Sequence, residues 1–270
     1  MRYNRSVPKS RRPKFGQHFL TDLRYRRRIV AALDLHSSDV VVEIGAGGGA
    51  MTELLAERAR QVVAIELDPA LAENLSQKLA SEQISILQGD ILSTDLAALC
   101  RRERTEKCFV FGNLPYYITS PIIHRLFDFR IYIRGMALLV QREVAARLTA
   151  VPGTRAYGYL SVLAQLYSRP RTLFSVPPGA FLPPPKVYSA LVDFQMGPKF
   201  PHWSSKDQQD YLKFVKRCFA QKRKNLLNNL AGIYTRARVE RELTALSLPS
   251  TARAEQLTVE QLASLHRRLG

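Results

Sequence analysis

Four consecutive residues, Asn113-Leu114-Pro115-Tyr116, have types suited to holding a planar amine. They follow a short apolar run, residues 108–112, which predicts a buried strand ending at a turn. The Asn113 side-chain oxygen and the Leu114 carbonyl can accept both hydrogens of an exocyclic amine, while the Tyr116 ring stacks on the base. Pro115 restricts Leu114 to extended backbone and so holds its carbonyl in place. An ordinary strand-to-helix turn explains these four residues equally well.

A glycine-rich turn, residues 45–50, separates a predicted strand at 39–44 from a helix expected to begin near Met51. Its glycines, Gly45 and Gly47 among them, let the backbone approach a ligand, and the helix N-terminus presents free N–H groups. This arrangement is typical of nucleotide binding.

Acidic residues end the next two predicted strands. Residues 61–65 are followed by Glu66, 21 positions after the first glycine, where a carboxylate can accept both ribose hydroxyls. Residues 84–88 are followed by Gly89 and Asp90, whose carboxylate can accept the exocyclic amine of adenine.

Two cofactors are compatible with the glycine turn. It satisfies the G-x-G-x-x-A pattern of NAD-dependent dehydrogenases, but Glu43 stands two residues before its first glycine, and Asp90 and Asn113 follow the third and fourth strands. Each acid alone has an ordinary explanation, a solvated charge for Glu43 and a turn former for Asp90. Together at successive strand ends they favour S-adenosyl-L-methionine.

The composition argues against membrane proteins, secreted proteins and proteins built on metal sites or disulfides. The chain has 270 residues, 46% hydrophobic and 23% charged, with no apolar run near the roughly 20 residues of a membrane span. The start of the chain lacks the apolar core of a signal peptide, so we expect a cytoplasmic protein. Its three cysteines lie far from C-x-x-C spacing, which argues against a metal site or a disulfide framework.

The net charge of +17 is unevenly distributed. Residues 1–28 carry +9, residues 29–196 carry 0 and residues 197–270 carry +8. A neutral body between two basic ends favours a nucleic-acid partner over solubilising charge. A membrane surface is less favoured, because neither end shows a clear amphipathic helix with a large apolar face.

The N-terminal residues 1–14 predict a mobile basic arm. Arginine richness resembles a mitochondrial transit peptide, but the arm is short and has no amphipathic stripe. Residues 15–20 are too short for a core helix, and we expect them to fold over a ligand or cap the sheet. The basic residues expected to contact RNA here are Arg11, Arg12 and Lys14.

A proline-rich stretch, residues 177–186, holds Phe181 in one orientation. This ring is either a core plug on a stiff connector or a second aromatic wall facing Tyr116 across an extruded base.

The chain turns basic and helical from about Gly197. One helix, or two broken near Gln221, is expected over residues 215–230, with Lys222, Arg223 and Lys224 available to phosphate. Two further helices are expected at 235–246 and 258–269. Charge favours RNA contact for this unit over a dimerisation role.

Six stretches together resemble the ribosomal RNA adenine dimethyltransferases of the KsgA type, in the same order and over nearly the whole chain. They are Gly16-Gln17-His18-Phe19-Leu20, Glu43-Ile44-Gly45-Ala46-Gly47, Gly89-Asp90, Asn113-Leu114-Pro115-Tyr116, the segment from Val176 to Val187, and Phe219-Ala220-Gln221-Lys222-Arg223-Lys224-Asn225-Leu226.

The resemblance implies transfer of four methyl groups from S-adenosyl-L-methionine to N6 of two adjacent adenines near the 3′ end of small-subunit rRNA, in a pre-ribosomal particle. By position, His18 and Leu20 would line the methionine end of the cofactor, and Asn113 the reaction site. Gly45 would belong to the glycine loop, Glu66 would bind the ribose and Asp90 the adenine.

This chain departs from the family at two positions. Many members carry Asn where this chain has His18. Tyr117 replaces a common Asn, and this replacement should tune the pocket.

We therefore expect an α/β protein: a basic arm and cofactor-capping segment (1–20), a Rossmann-like class I methyltransferase domain (21–196) and a helical RNA-binding domain (197–270). A large-subunit rRNA methyltransferase, of the antibiotic-resistance kind, is the nearest enzyme alternative. A non-catalytic assembly or transcription factor of the same fold is the alternative outside enzymes.

Overall fold

The structure, a computed structural model, describes residues 17–270. The RNA contacts expected at Arg11, Arg12 and Lys14 lie outside the described residues. The strands are β1 (Phe19–Leu20), β2 (Val40–Ile44), β3 (Gln61–Glu66), β4 (Ile84–Gln88), β5 (Cys108–Asn113), β6 (Ile133–Gln141), β7 (Ser168–Val176), β8 (Phe181–Leu182) and β9 (Ser189–Met196). The helices are α1 (Leu23–Ala32), α2 (Thr52–Ala56), α3 (Pro69–Leu79), α4 (Leu96–Arg102), α5 (Thr119–Asp128), α6 (Arg142–Leu148), α7 (Tyr159–Tyr167), α8 (Ser205–Cys218), α9 (Leu226–Asn229), α10 (Arg236–Ala245) and α11 (Val259–Leu269).

Seven strands form one sheet in the order β4-β3-β2-β5-β6-β9-β7. The strands from β4 to β6 run parallel, and β9 is antiparallel to both of its neighbours. From β2 the chain builds outwards first through β3 and β4, then through β5 and β6 on the other side. The crevice between the carboxyl ends of β2 and β5 is therefore the switch point where open α/β sheets bind ligands.

Apolar residues on both faces explain why β2 lies in the middle of the five parallel strands. Val40, Val42 and Ile44 belong to one buried cluster, while Val41 belongs to the cluster on the opposite face. Parallel strands covered by helices on both sides need such continuous apolar runs. The chain leaves this apolar environment only at the strand ends, and polar residues are found there.

A small ribbon covers the carboxyl edge of the sheet. Phe19 pairs with Leu182 and Leu20 with Phe181 in an antiparallel register between β1 and β8, and the Thr21 amide donates to the Ala180 carbonyl at 2.9 Å. The described part of the segment expected to cap the sheet is therefore a strand, paired with the proline-rich stretch.

Helices α8 and α11 pack on α7, α9 and α10 pack on α8 and α11, respectively, and all four share the apolar core of α7. The Tyr211 hydroxyl donates to the Val259 carbonyl at 2.9 Å. The question left open for residues 215–230 has a clear answer: α8 ends at Cys218, a turn follows, and α9 begins at Leu226. The boundary near residue 197 stays a prediction, because one core runs across it. Within residues 17–270, no helix has the length and apolar character required to cross a membrane.

Candidate active site

Asn113 is the last residue of β5, and its side chain is held in one orientation. Its Nδ2 donates to the backbone oxygen of His18 at 2.9 Å. Its Oδ1 has no hydrogen-bond donor among residues 17–270, and Asn113 lines a cavity at this edge of the sheet. The atom expected to accept an amine hydrogen is therefore the one left available.

The Leu114 carbonyl is the second available acceptor. The Leu114 amide donates to the Leu139 carbonyl at 3.1 Å, and the residue as a whole is only 1% exposed. No donor in the described chain reaches the Leu114 oxygen. The next carbonyl, that of Pro115, is already engaged by the Thr119 hydroxyl at 2.9 Å.

Tyr116 lies beside these acceptors. Its hydroxyl contacts the Ser189 Oγ at 2.8 Å, and its ring centroid is 5.3 Å from that of His18 at an interplanar angle of 32°. Burial raises the pKa of Tyr116 above its usual range, so the hydroxyl stays neutral. The His18 ring is fixed in turn, because its Nδ1 donates to the Pro183 carbonyl at 2.8 Å.

Phe181 and Leu20 are placed in the core. Phe181 is only 3% exposed, and both side chains belong to the cluster behind the cap. As Phe181 stands, neither face of its ring is free for a base, so the aromatic wall stays a prediction that requires the ring to turn out. Contact of Leu20 with a cofactor is restricted to its backbone, because the side chain points into the core.

Gly47 must be glycine at this position. Its φ is +58°, and a Cβ atom would lie 2.8 Å from the Phe19 ring. The Gly47 amide donates to Glu66 Oε2 at 2.8 Å. Gly45, with φ of +72°, also has the left-handed backbone that favours glycine. The loop thus fits between the cap and the acid at the end of β3.

Glu66 holds the glycine loop through a hydrogen bond from the Gly47 amide. It is 1% exposed, and its Oε1 accepts the Asp68 amide at 2.9 Å while Oε2 accepts that of Gly47. A carboxylate has about four acceptor positions, so binding of ribose hydroxyls stays a prediction alongside this bracing role.

Glu43 is a buried acid, so the solvated-charge interpretation was wrong. Its Oε2 accepts the Thr52 hydroxyl at 2.6 Å. Burial raises its pKa to about 7, with a further contribution from the charge of Glu66. The Glu66 carboxylate behind the glycine loop would repel a pyrophosphate and suit a cofactor with positive charge, which disfavours a dinucleotide.

Asp90 lies where an adenine amine is expected. Its Oδ1 accepts the Leu92 amide at 2.9 Å, while Oδ2 has no donor among the described residues. A cavity adjoins it. The walls of this cavity are mostly apolar, with Glu66 and Asp90 as its two acids; Ile44, Ile65, Leu67, Ile91, Pro115, Tyr117, Ile118 and Ile122 contribute.

A second cavity is lined by the reaction-site residues 113–116 together with residues 17–19 and Gly45. Gln17, Gly45 and Pro115 line both cavities. Gln17 and the apolar walls were not predicted as site residues, although Leu67 and Ile91 directly follow Glu66 and Asp90. The two cavities thus bring apolar walls and two acids, Glu66 and Asp90, next to Asn113 and Leu114.

The basic residues expected to bind RNA lie on the turn between α8 and α9. Lys222, Arg223 and Lys224 are all exposed, and the Lys222 Nζ donates to the Arg155 carbonyl. Asn229 closes this turn: its Oδ1 accepts the Gln221 amide at 3.0 Å, and its Nδ2 donates to two carbonyls, each at 3.2 Å. Residues 221–224 are called the basic turn below.

No group of three or more His, Cys, Asp or Glu side chains in residues 17–270 is arranged to hold a metal ion.

Known proteins with similar sequences are ribosomal RNA methyltransferases. The Ribosomal RNA adenine dimethylase family model matches residues 9–269. Two relatives named Ribosomal RNA small subunit methyltransferase A are similar over almost their whole length. That of Acidobacterium capsulatum is 44% identical, covering 99% of this chain and 97% of the relative. That of Koribacter versatilis is 41% identical, covering 96% and 95%.

Two solved structures resemble the fold. The 23S rRNA methyltransferase ErmE superposes with a TM-score of 0.73 and 29% identity, covering 93% of this chain and 99% of ErmE. A dimethyladenosine transferase from Plasmodium falciparum gives a TM-score of 0.78 at 23% identity, covering 92% and 96%. The predicted α/β methyltransferase fold is thus confirmed, and the chain belongs to the ribosomal RNA adenine dimethylase family.

Proposed function

We propose that the protein transfers methyl groups from S-adenosyl-L-methionine to adenine N6 in small-subunit rRNA, adding two to each of two adjacent adenines near the 3′ end. One observation carries the proposal: at the end of β5, Asn113 Oδ1 and the Leu114 carbonyl form a pair of unengaged acceptors. A primary amine on a planar base has two hydrogens to donate to such a pair.

The acceptor pair addresses the chemical difficulty of the reaction, because the N6 lone pair is delocalised into the adenine ring. Holding both N–H bonds fixes the amine so that its lone pair is directed at the methyl donor. When bound, S-adenosyl-L-methionine supplies a methyl group already activated by the sulfonium. The amine nitrogen would gain this methyl as the bond from the methyl to sulfur breaks and a neutral thioether leaves, and it would then lose a proton to water, so no side chain is required as a base.

Tyr116 supports the base that carries the amine. Extruding a base costs a few kcal/mol, least in a loop, and a base–aromatic stack contributes about 1 to 3 kcal/mol. The hydroxyl bond to Ser189 and the neighbouring His18 ring hold Tyr116 in place. Phe181 would add a second stack if its ring turned out of the core.

The cofactor would occupy the cavity between Glu66 and Asp90. Asp90 Oδ2 would accept the adenine amine, Glu66 the ribose hydroxyls, and the glycine loop would allow close approach of the methionine end beside His18. The buried Glu66 carboxylate would favour the positive charge of the bound group.

The small subunit is the preferred substrate because the relatives at 44% and 41% identity carry that name. Similarity to ErmE supports one second candidate, methylation of large-subunit rRNA. A pre-ribosomal small subunit as partner would place the reaction in the cytoplasm, where reducing conditions suit three buried free cysteines.

A labelled-methyl assay on unmodified small and large subunits tests the proposal, followed by mapping of the modified bases. We expect label on two adjacent adenines of the small subunit, two methyl groups on each. Label on the large subunit alone would transfer the proposal to the second candidate. Binding to small subunits without any label would favour an assembly factor.

A further inference from the structure

Exposed apolar side chains gather around the candidate active site. Nine large apolar side chains are exposed among residues 17–270, and five of them lie at the carboxyl edge of the sheet. Leu67 and Tyr117 follow β3 and β5, Leu182 ends β8, and Val187 and Tyr188 precede β9. Concentration of exposed apolar groups on one surface is typical of a contact surface.

Tyr188 is joined directly to the reaction centre. It is 45% exposed and precedes Ser189, whose Oγ contacts the Tyr116 hydroxyl at 2.8 Å. Successive side chains of an extended chain point to opposite faces. Ser189 therefore turns towards Tyr116, and Tyr188 turns towards the start of α6.

Arg142, the first residue of α6, covers the Tyr188 ring. Its guanidinium carbon lies 5.2 Å from the ring centroid, and its backbone amide donates to the Tyr188 carbonyl at 2.9 Å. Within the described chain, neither the Tyr188 hydroxyl nor the Arg142 guanidinium has a hydrogen-bond or ion-pair partner. An exposed ring and an exposed guanidinium are both planes on which nucleic-acid bases stack.

We propose that Tyr188 and Arg142 form a stacking platform for the nucleotide next to the target adenine. This inference rests on the proposed function, since it needs an extruded base at Tyr116. A base that leaves its stack deprives the neighbouring base of a partner, and the platform replaces that partner. The platform thereby selects RNA sites whose flanking nucleotide is unpaired and free to stack.

The protein chain that follows Arg142 leads towards the basic turn, which agrees with a platform for RNA. Helix α6 leads from Arg142 to the loop that contains Arg155, and the Arg155 carbonyl accepts the hydrogen bond of Lys222 in the basic turn. An RNA strand that leaves the site over Tyr188 therefore continues towards positive charge suited to its phosphates.

The test compares Tyr188→Ala and Tyr188→Phe with the wild type in the full-length protein. For Y188A we expect binding of unmodified small-subunit RNA to weaken by about 10-fold or more, with cofactor affinity and thermal midpoint unchanged. Y188F should bind like the wild type, because stacking needs the ring and not the hydroxyl. Ile131→Ala, which removes an exposed apolar side chain elsewhere, is the matched control.

Equal RNA affinity of wild type and Y188A would overturn the platform, and so would a Y188F variant as weak as Y188A. Because RNA binding is measured without turnover, this outcome is separate from failure of the proposed function. That failure would appear as a wild-type protein that labels neither subunit.

Discussion

The side-chain amide of Asn113 donates to the backbone oxygen of His18 across 95 positions of the chain, at 2.9 Å. This bond decides which atom of Asn113 is left for a substrate, because Nδ2 is engaged and Oδ1 is not. His18 is in turn held by the pairing of β1 with β8 and by its bond to Pro183. The cap and the reaction centre are therefore one assembly.

Replacing Asn113 should abolish catalysis without removing the cofactor. In Asn113→Ala both the acceptor and the bond to His18 are lost, so we expect methyl transfer to fall by at least about 100-fold. Cofactor affinity, measured by calorimetry, should change little, because Glu66 and Asp90 are untouched.

Asn113→Asp separates the two parts of the Asn113 contribution. The carboxylate keeps an acceptor but cannot donate to the His18 carbonyl, so it should be nearly as inactive as the alanine variant. The exposed amide Asn74 on α3 gives the control, Asn74→Ala. Undiminished turnover of N113A would exclude the assigned role.

Gly47→Ala should impair the glycine loop. The left-handed backbone at φ +58° costs a non-glycine residue about 1 to 2 kcal/mol, and the new Cβ would press on the Phe19 ring at 2.8 Å. We expect a lower thermal midpoint and cofactor binding weakened by about 10-fold or more, since the amide that holds Glu66 would shift.

Gly48→Ala is the matched control for the glycine loop. A Cβ at this neighbouring position meets no heavy atom within 4 Å, and its φ lies outside the left-handed region. Its thermal midpoint should equal that of the wild type. If G47A were as stable as G48A, the close approach of Phe19 would be of no consequence.

Sequence reasoning located the main groups of the site because each follows an apolar run. Glu66, Asp90 and Asn113 come after predicted strands, and carboxyl ends of parallel strands meet at one edge. The structure brings all three to that edge, beside the glycine turn. The acceptor role of Asn113 stays a prediction, for which the structure leaves Oδ1 unengaged.

Long-range contacts could not be read from local patterns. The hydrogen bond from Asn113 to His18 depends on the pairing of β1 with β8, two strands that lie more than 160 positions apart in the chain. Phe181 was open to two interpretations because a proline-rich stretch fixes a ring without saying which side it faces. The apolar spacing of residues 215–230 fits a single helix, yet Asn229 bonds back to Gln221 and stabilises a turn instead.

Glu43 should make folding stability depend on pH. Its pKa rises from 4.5 to about 7 on folding, mainly through burial and also through the charge of Glu66. The folded state then binds a proton more readily than the unfolded state. Its contribution is complete below pH 4.5 and is lost as the pH rises through about 7, by an amount on the order of 3 kcal/mol.

Glu43→Gln should remove this loss, since the amide does not ionise and can still accept from Thr52. We expect urea midpoints of the wild type to fall more steeply than those of E43Q between pH 5 and pH 8.5. Glu53→Gln, at an exposed position on α2, should follow the wild type. Parallel curves for wild type and E43Q would contradict the buried proton.

The exposed charges of the basic turn should set the salt dependence of RNA binding. The double variant Arg223→Ala/Lys224→Ala removes two of these charges and should weaken RNA binding. The slope of log affinity against log salt concentration should become shallower by about one unit per lost phosphate contact. Lys78→Ala, which removes an exposed charge on α3 at the far edge of the sheet, serves as control. An unchanged slope would place Arg223 and Lys224 outside the interface.

Asn229 should act on RNA binding through the shape of the basic turn. Its three bonds to Gln221 and Lys224 hold the turn closed, so Asn229→Ala leaves every charge present but no longer preorganised. We expect weaker RNA binding with little change in salt slope, because the number of phosphate contacts is kept while ordering them costs more entropy. The adjacent Asn228 is exposed, and its side chain has no partner in the described chain. Asn228→Ala should therefore bind RNA as the wild type does. Equal RNA affinities of N228A and N229A would show that the hydrogen bonds of Asn229 do not contribute to RNA binding.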